Sequence, residues 1–305
     1  MKRVLVTGGA GFIGSHTVER LLQQDIQVTV LDNLSSGKLT NLDLTHPNLE
    51  FVEGDILEFP LVADLIIGCD AVLHLAAIAS VPLSIENPIY SFQVNMQGFL
   101  HVLEAIRTSG RHIRLVYASS AAVYGEAKQL PCSDDQPLQG DLLSPYALQK
   151  FDNELYADLY ARQHEVPSLG MRYFNAYGHR QDPNSPYSGV ISRFLGAYQN
   201  DKGLTIYGDG QQSRDFISVS DIARANVLAL QNDYHGVLNI ATGKAETLLN
   251  MIKYLEVAGG HPAIVTHKDA RAGDIRASYA STQMAKKHLN FEYEVPLSKG
   301  LKELL

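Results

Sequence analysis

The stretch "VLVTGGAGFIG" constrains this chain more than any other. It sets Gly8, Gly11 and Gly14 directly after a β-branched run and at the opening of an amphipathic segment. That is where a strand turns tightly into a helix. The first glycine permits the turn and the second lets backbone approach a pyrophosphate. The third lets helix pack on strand, with the phosphates at the positive helix end. The next apolar run, "QVTVLD", ends in Asp32. A carboxylate there accepts hydrogen bonds from a ribose diol and repels a 2′-phosphate, which favours NAD over NADP. "GDI" (54–56) places Asp55 where it can lie beside the adenine, or serve as a turn or cap residue.

The rhythm of the first 175 residues agrees. Short apolar runs at 3–7, 27–32, 49–54, 71–76, 113–118 and 168–173 alternate with longer helical patterns. Near-continuous apolar strands separated by helices predict a parallel sheet covered on both faces, a Rossmann-type doubly wound α/β fold. After Tyr173 the pattern changes. "NAYGHRQDPNSPYSG" reads as loop, "GVISRFLGAYQN" as helix, and "LTIYGDGQQSRDFISV" as a hairpin plus a return. "SDIARANVLALQN" reads as a helix capped by Ser220, and "GVLNIAT" as a further core strand. The expected division is a nucleotide-binding domain at 1–174 plus 216–243 and a smaller α/β substrate domain at 175–215 plus 244–305.

The 305 residues suffice for such a core. The net charge of −8 argues against a nucleic-acid or anionic-membrane partner. No apolar stretch reaches membrane-spanning length, and "MKRVLVTGG" does not read as a secretory signal. Cys69 and Cys132 have no metal-ligand spacing and read as free thiols, so the expectation is a cytoplasmic protein without a metal.

"SPYALQK" (144–150) sets Tyr146 and Lys150 four apart, on one face of a helix. A phenol is a poor base at neutral pH. A nearby ammonium and a positive nicotinamide ring would stabilise its phenolate. "SSAAVYG" follows the run at 113–118 and so sits at the carboxyl end of a strand, where open α/β sheets place ligands. With "HLAA" (74–77), "RYFN" (172–175) and the Gly-x-x-Gly-x-x-Gly spacing, these motifs make the chain similar, over essentially its whole length, to the extended short-chain dehydrogenase/reductase superfamily. Within it the pattern most resembles NAD-dependent nucleotide-sugar epimerases and dehydratases, and in particular UDP-N-acetylglucosamine and UDP-glucose 4-epimerases.

The resemblance implies Ser120, Tyr146 and Lys150 as catalytic residues. Ser120 would hydrogen-bond the reacting sugar hydroxyl, Tyr146 would exchange its proton, and Lys150 would also hold the nicotinamide ribose. Ser119 would be structural or a cofactor contact; Tyr124 would be a substrate contact or core. Dehydrating relatives carry Asp and Glu after the active residue, and decarboxylating ones a Glu. Ala121 and Ala122 stand there instead and can move no proton. Elimination is disfavoured, and reversible C4 epimerisation of a UDP-sugar through a 4-keto intermediate remains. The implied NAD contacts are Gly8, Gly11, Phe12, Ile13, Gly14, Asp32, Asn33, Asp55, Ile56, Leu75, Ala76, Ala77, Asn95, Tyr146, Lys150 and Tyr173.

The implied substrate contacts are Ser80, Ser84, Ser120, Tyr146, Asn175, Gly189, Val190, Arg193, Tyr207, Arg214, Arg271, Asp274 and Ser278. Arg214 and Arg271 would meet the pyrophosphate and nucleoside, and Asp274 the nucleoside ribose. Ser278 stands where a tyrosine crowds C2 in glucose-restricted relatives, so it points to N-acetylated sugars. Leu83, where several such relatives carry Arg, points the other way. Both UDP-GlcNAc/UDP-GalNAc and UDP-Glc/UDP-Gal stay open, as do a UDP-uronic acid, a dTDP-hexose and a non-catalytic NAD-binding regulator. Helices around 90–108 and 146–162 resemble those that pair as a four-helix bundle, which implies a homodimer.

Overall fold

A computed structural model describes residues 1–138, 142–182, 189–270 and 275–305. Strands β1 (Arg3–Thr7), β2 (Gln27–Asp32), β3 (Leu49–Glu53), β4 (Ala71–His74), β5 (Arg114–Ser120) and β6 (Ser168–Tyr173) form a parallel sheet with the later Gly236–Ile240 strand. The spatial order runs from that late strand through β6, β5, β4 and β1 to β2 and β3. The chain therefore reverses direction between β1 and β4. The register pairs Thr7 with His74 and Ser120 with Tyr173, so the carboxyl ends of β1, β4, β5 and β6 share one edge at this switch point.

Helix α1 (Phe12–Leu22) buries Val18 and Leu21 against one face of the sheet. On the other face α2 (Phe59–Ile67) buries Val62 and Ile66. Beyond β4 come α3 (Val81–Glu86) and α4 (Pro88–Phe92). A π-helical turn (Gln93–Gln97) then leads into α5 (Gly98–Thr108). Helix α6 (Pro145–His164) runs back along the sheet. Ser144 caps it by accepting from the Ala147 amide, and Pro145 sits where a missing N–H costs nothing.

A second lobe gathers around Ile191, Phe194, Leu204, Ile206, Met251 and Leu255. It contains β7 (Asn175–Tyr177), α7 (Val190–Gln199), β8 (Leu204–Tyr207), β9 (Ser213–Arg214) and β10 (Phe216–Ser218). The expected hairpin within 204–219 does not form. The chain turns at Gly208 and Gly210, both at positive φ, but each strand takes a partner from elsewhere. β8 pairs in parallel with Val265–Lys268, β10 with β7, and β9 lies between Glu246–Thr247 and Ala277–Ser278. The segment expected to be all loop thus contains β7.

Helix α8 (Val219–Leu230) is capped by Ser218, whose hydroxyl accepts from the Ser220 amide; Ser220 is already inside the helix. After the seventh sheet strand, β11 (Gly236–Ile240), come β12 (Glu246–Thr247), α9 (Leu248–Gly259), β13 (Val265–Lys268), β14 (Ala277–Ser278), α10 (Gln283–Leu289) and α11 (Leu297–Leu304). Ala285, Leu289 and Phe291 pack into the core of the large sheet, so the tail after residue 244 serves both lobes.

Candidate active site

A cleft of about 410 Å³ opens at the switch point. All the expected NAD contacts line it except Asp55 and Asn95. Gly8 has φ +70°, and a Cβ there would lie 2.7 Å from the Ala76 amide nitrogen, so the loop after β4 presses on bare backbone. Asp32 accepts from the amides of Ala10 (2.9 Å) and Leu34 (2.8 Å), which fixes the orientation of its carboxyl group and leaves it lone pairs to spare.

Asp55 does not line the cleft, although its neighbours Gly54 and Ile56 do, and it accepts from Asn33 Nδ2 and the Leu57 amide. Asn95 is also set back. Its Oδ1 accepts from the Ile78 amide at 2.8 Å, and its Nδ2 donates to the Ile78 carbonyl and to Gln149 Oε1. Asn95 therefore holds the loop that forms the wall and does not line the cleft itself.

Ser120, Tyr146 and Lys150 meet in this cleft. Ser120 lowers the pKa of the Tyr146 phenol, and its Oγ accepts from the Ala122 amide at 3.2 Å. Lys150 Nζ donates to the Ala118 carbonyl at 2.8 Å and lies 5.9 Å from the centre of the Tyr146 ring. Burial pushes the phenol pKa up, against the lowering that Ser120 provides. The lowering expected from Lys150 together with a positive nicotinamide ring is thus not supplied by the chain's own groups. Burial brings Lys150 itself down to about 8. It brings His74 down to about 3, with Lys150 adding repulsion, so His74 is a neutral imidazole. Thr7 Oγ1 pairs with His74 Nδ1 (2.8 Å) and accepts from the Ala76 amide (3.3 Å), tying the wall to β1.

A second cleft of about 1040 Å³ continues outward past Ala122, Ser144 and Ala147, the chain neighbours of Ser120 and Tyr146. Asn175, Val190, Arg193, Tyr207 and Arg214 line it; Gly189, the N-cap residue of α7, adjoins it in sequence. Arg214 donates to the carbonyls of Ser213 and Ile275.

Three expected contacts are placed differently. Ser80 caps α3, accepting from the Leu83 amide. Ser84 is fully buried, donating to the Val81 carbonyl and accepting from the Tyr146 amide, so it anchors the start of α6 and has no surface for a sugar. Ser278 pairs with Arg214 in the β9–β14 ladder, its carbonyl accepting from the Asp215 amide, and it does not line this cleft. Arg271 and Asp274 lie outside the described residues.

The chain matches the model of the NAD dependent epimerase/dehydratase family over residues 4–241. It belongs to that family. It is 33% identical to the UDP-glucose 4-epimerase of Mycolicibacterium smegmatis, over 98% of this chain and 96% of that one. Among solved structures it superposes on a UDP-N-acetylglucosamine 4-epimerase from Methanobrevibacter ruminantium in complex with UDP-N-acetylmuramic acid. There the TM-score is 0.94 and the identity 38%, over 99% of this chain and 96% of that one. For a Thermotoga maritima UDP-glucose 4-epimerase with UDP-glucose the values are 0.92 and 36%, over 98% and 96%. This member is an NAD-dependent enzyme, and the cleft fits that cofactor. Bare backbone at Gly8 and Gly11 lines the cleft beside a helix N-terminus, which leaves room for a pyrophosphate, and Asp32 is oriented as a fixed acceptor. No helix among the described residues is long and apolar enough to cross a membrane, and they hold no cluster of metal ligands.

Several supporting residues carry no local sequence signal. Asp215, buried beside Arg214, accepts from the Thr242 amide and hydroxyl and from the amides of Gly243 and Ala280. Glu154, Arg172, Gln149 and Asn239 are likewise buried and hydrogen-bonded around the site.

The Lys150 ammonium is costly to bury. Between pH 8 and 10.5 the unfolded chain holds a proton that the folded chain has released, so stability rises with pH through that window; below it the full cost is present. NAD-free Lys150→Met should therefore melt higher than wild type at pH 7, with a gap that narrows as pH rises past 8. Thermal denaturation across pH measures this, and a widening gap would contradict it.

Proposed function

We propose that this enzyme catalyses reversible C4 epimerisation of UDP-sugars, taking UDP-GlcNAc/UDP-GalNAc and also UDP-Glc/UDP-Gal. The observation that carries this is the meeting of Ser120, Tyr146 and Lys150 beside Ala122, where an eliminating enzyme would need a carboxyl group. The glycine turn would hold the NAD pyrophosphate, Asp32 the adenosine ribose, and Tyr146 with Lys150 the nicotinamide ribose. Bound NAD supplies a reversible hydride acceptor, which makes a 4-keto sugar the intermediate.

Tyr146 takes the proton of the C4 hydroxyl and later returns it, while Ser120 orients that hydroxyl. Burial alone raises the Tyr146 phenol, so its working pKa depends on Ser120 and on positive charge brought to the cleft. Lys150, held by the Ala118 carbonyl, keeps its ammonium on the same helix face. Arg193 and Arg214 line the outer cleft and suit the diphosphate. Val81, Pro82 and Leu143 give the sugar end an apolar wall, suited to the methyl of an acetamido group.

Turnover should be compared across UDP-GlcNAc, UDP-glucose and UDP-glucuronate by separating the C4 epimers. Interconversion of the first two, with the uronate slower, is the expected result. Preference for the uronate would overturn the substrate assignment.

The assembly reading is a homodimer. Ile85, Ile89 and Phe92 on α3 and α4, with Leu148 and Leu155 on α6, are exposed at 58%, 74%, 55%, 48% and 53%, an apolar stripe that a second copy would cover. Sedimentation should give twice the chain mass, and Ile89→Glu with Phe92→Glu should give one chain; a monomeric wild type would refute it.

A further inference from the structure

Ser120 is carried by a short segment whose two ends are held by one buried ion pair. Glu154 and Arg172 are each more than nine-tenths buried. Arg172 donates from Nε to Glu154 Oε1 (2.8 Å) and from Nη2 to Oε2 (2.7 Å), a bidentate fork. Ser119 Oγ donates to the same Glu154 Oε1 at 2.5 Å. From its other arm, Arg172 Nη1 donates to Tyr124 Oη (2.7 Å) and to the Asp134 carbonyl (3.0 Å). Tyr124 Oη in turn donates to Asn239 Oδ1 at 2.7 Å. The carboxylate thus grips the residue before Ser120, and the guanidinium grips the far end of the turn after it.

The other side of the clamp is the catalytic helix. Tyr146, Lys150 and Glu154 stand at successive four-residue steps of α6, one above another on a single face. Ser119 and Ser120 are the last two residues of β5. Holding Ser119 on Glu154 therefore fixes how Ser120 meets Tyr146, two turns up the same helix. Stability alone does not call for such a pair, because apolar side chains of similar volume pack equally well in a core. A planar fork engaged at three separate points supplies orientation instead.

We propose that Glu154 and Arg172 are positioning residues for the reaction, setting the Ser120–Tyr146 contact by clamping Ser119 and Tyr124 to the catalytic helix. The inference rests on the reading of Ser120 and Tyr146 as the reacting pair. Glu154 and Arg172 line neither cleft, so the pair acts through Ser119.

The test is the pKa of Tyr146 itself, followed in the NAD-saturated protein by ¹³Cζ-tyrosine NMR and assigned with Tyr146→Phe. Ser120→Ala should raise it. Ser119→Ala and Glu154→Gln should raise it too, by about half a unit, a roughly 3-fold fall in phenolate at neutral pH. The double variant Ser119→Ala/Ser120→Ala should show no more than the Ser120→Ala shift, because Ser119 works through Ser120. Turnover should fall roughly 10-fold in Glu154→Gln with KM little changed.

If Ser119→Ala leaves the Tyr146 pKa at its wild-type value, or if its shift adds fully to that of Ser120→Ala, the proposal is overturned. Should Glu154→Gln fail to fold, Ser119→Ala decides alone, since it leaves the ion pair intact. The titration needs no sugar turnover. A wild type that epimerises nothing therefore counts against the proposed function and leaves this result standing.

Discussion

Tyr146→Phe should lower epimerisation turnover by about 10³-fold or more while leaving the protein folded and able to retain NAD. The substitution removes one oxygen and keeps the buried ring. Ser84 still accepts from the amide of residue 146, so the start of α6 keeps its anchor. The stability cost is confined to the lost interaction of the phenol oxygen with Ser120, at most about 1 kcal/mol. What disappears is the proton carrier. Lys150 is committed to the Ala118 carbonyl, a serine hydroxyl is far too weak an acid to replace a phenol, and Ala121 and Ala122 have nothing to exchange. Single-turnover kinetics with a melting curve measures both halves. A fall of less than tenfold would mean that another group handles the proton. A regulator that only bound NAD would be indifferent.

The second large effect is expected at Gly14. A Cβ there would lie 2.2 Å from the Gly8 carbonyl oxygen and 2.8 Å from the Gly9 Cα. Both obstacles are backbone, so no side-chain rotation relieves them. Helix α1 would have to leave β1, taking with it the helix end that faces the cleft and the buried Val18 and Leu21. Overpacking a core costs about 1–3 kcal/mol where side chains can yield, and Gly14→Ala should reach or exceed the upper end. If that displacement is relieved on loss of the cofactor, NAD affinity should fall about 100-fold. Gly110→Ala is the control. Its φ of +65° makes alanine strained there, yet nothing lies within 4 Å of a new Cβ. It should cost about 1 kcal/mol and leave NAD binding unchanged. Equal NAD affinity in the two variants would contradict the account of the cradle.

Much of this was legible because the signals are local. The glycine spacing, Asp32 at the end of β2 and the four-residue step from Tyr146 to Lys150 each sit within a few residues of one another. The six strands before Tyr173 were legible from continuous apolar runs, and three of them, β1, β2 and β6, begin and end where those runs do. What escaped depends on distant chain. The hairpin expected at 204–219 was a sound local reading of glycines between β-branched runs. Its strands pair instead with residues 175–177, 246–247, 265–268 and 277–278, and no local pattern names a partner that far away. Ser84 looked like a sugar contact because nothing nearby in sequence shows that the Tyr146 amide, 62 residues on, needs an acceptor. Glu154 and Arg172 read as ordinary members of a helix and a strand until the fold sets them 2.7 Å apart. The Ser218 cap differs from the expected Ser220 by two residues, a choice that depends on where β10 ends.

On the proposed function, Ser120, Tyr146 and Lys150 invert C4 of a UDP-sugar through a ketone and do nothing else to it. The most direct measurement is incubation of the purified NAD-bound protein with UDP-GlcNAc in D₂O, with the products separated and examined by mass and NMR. The expected product is a mixture of the two C4 epimers, unchanged in mass, with no solvent deuterium on C4. Loss of water, deuterium at C4, or a failure to convert either UDP-GlcNAc or UDP-glucose would contradict it.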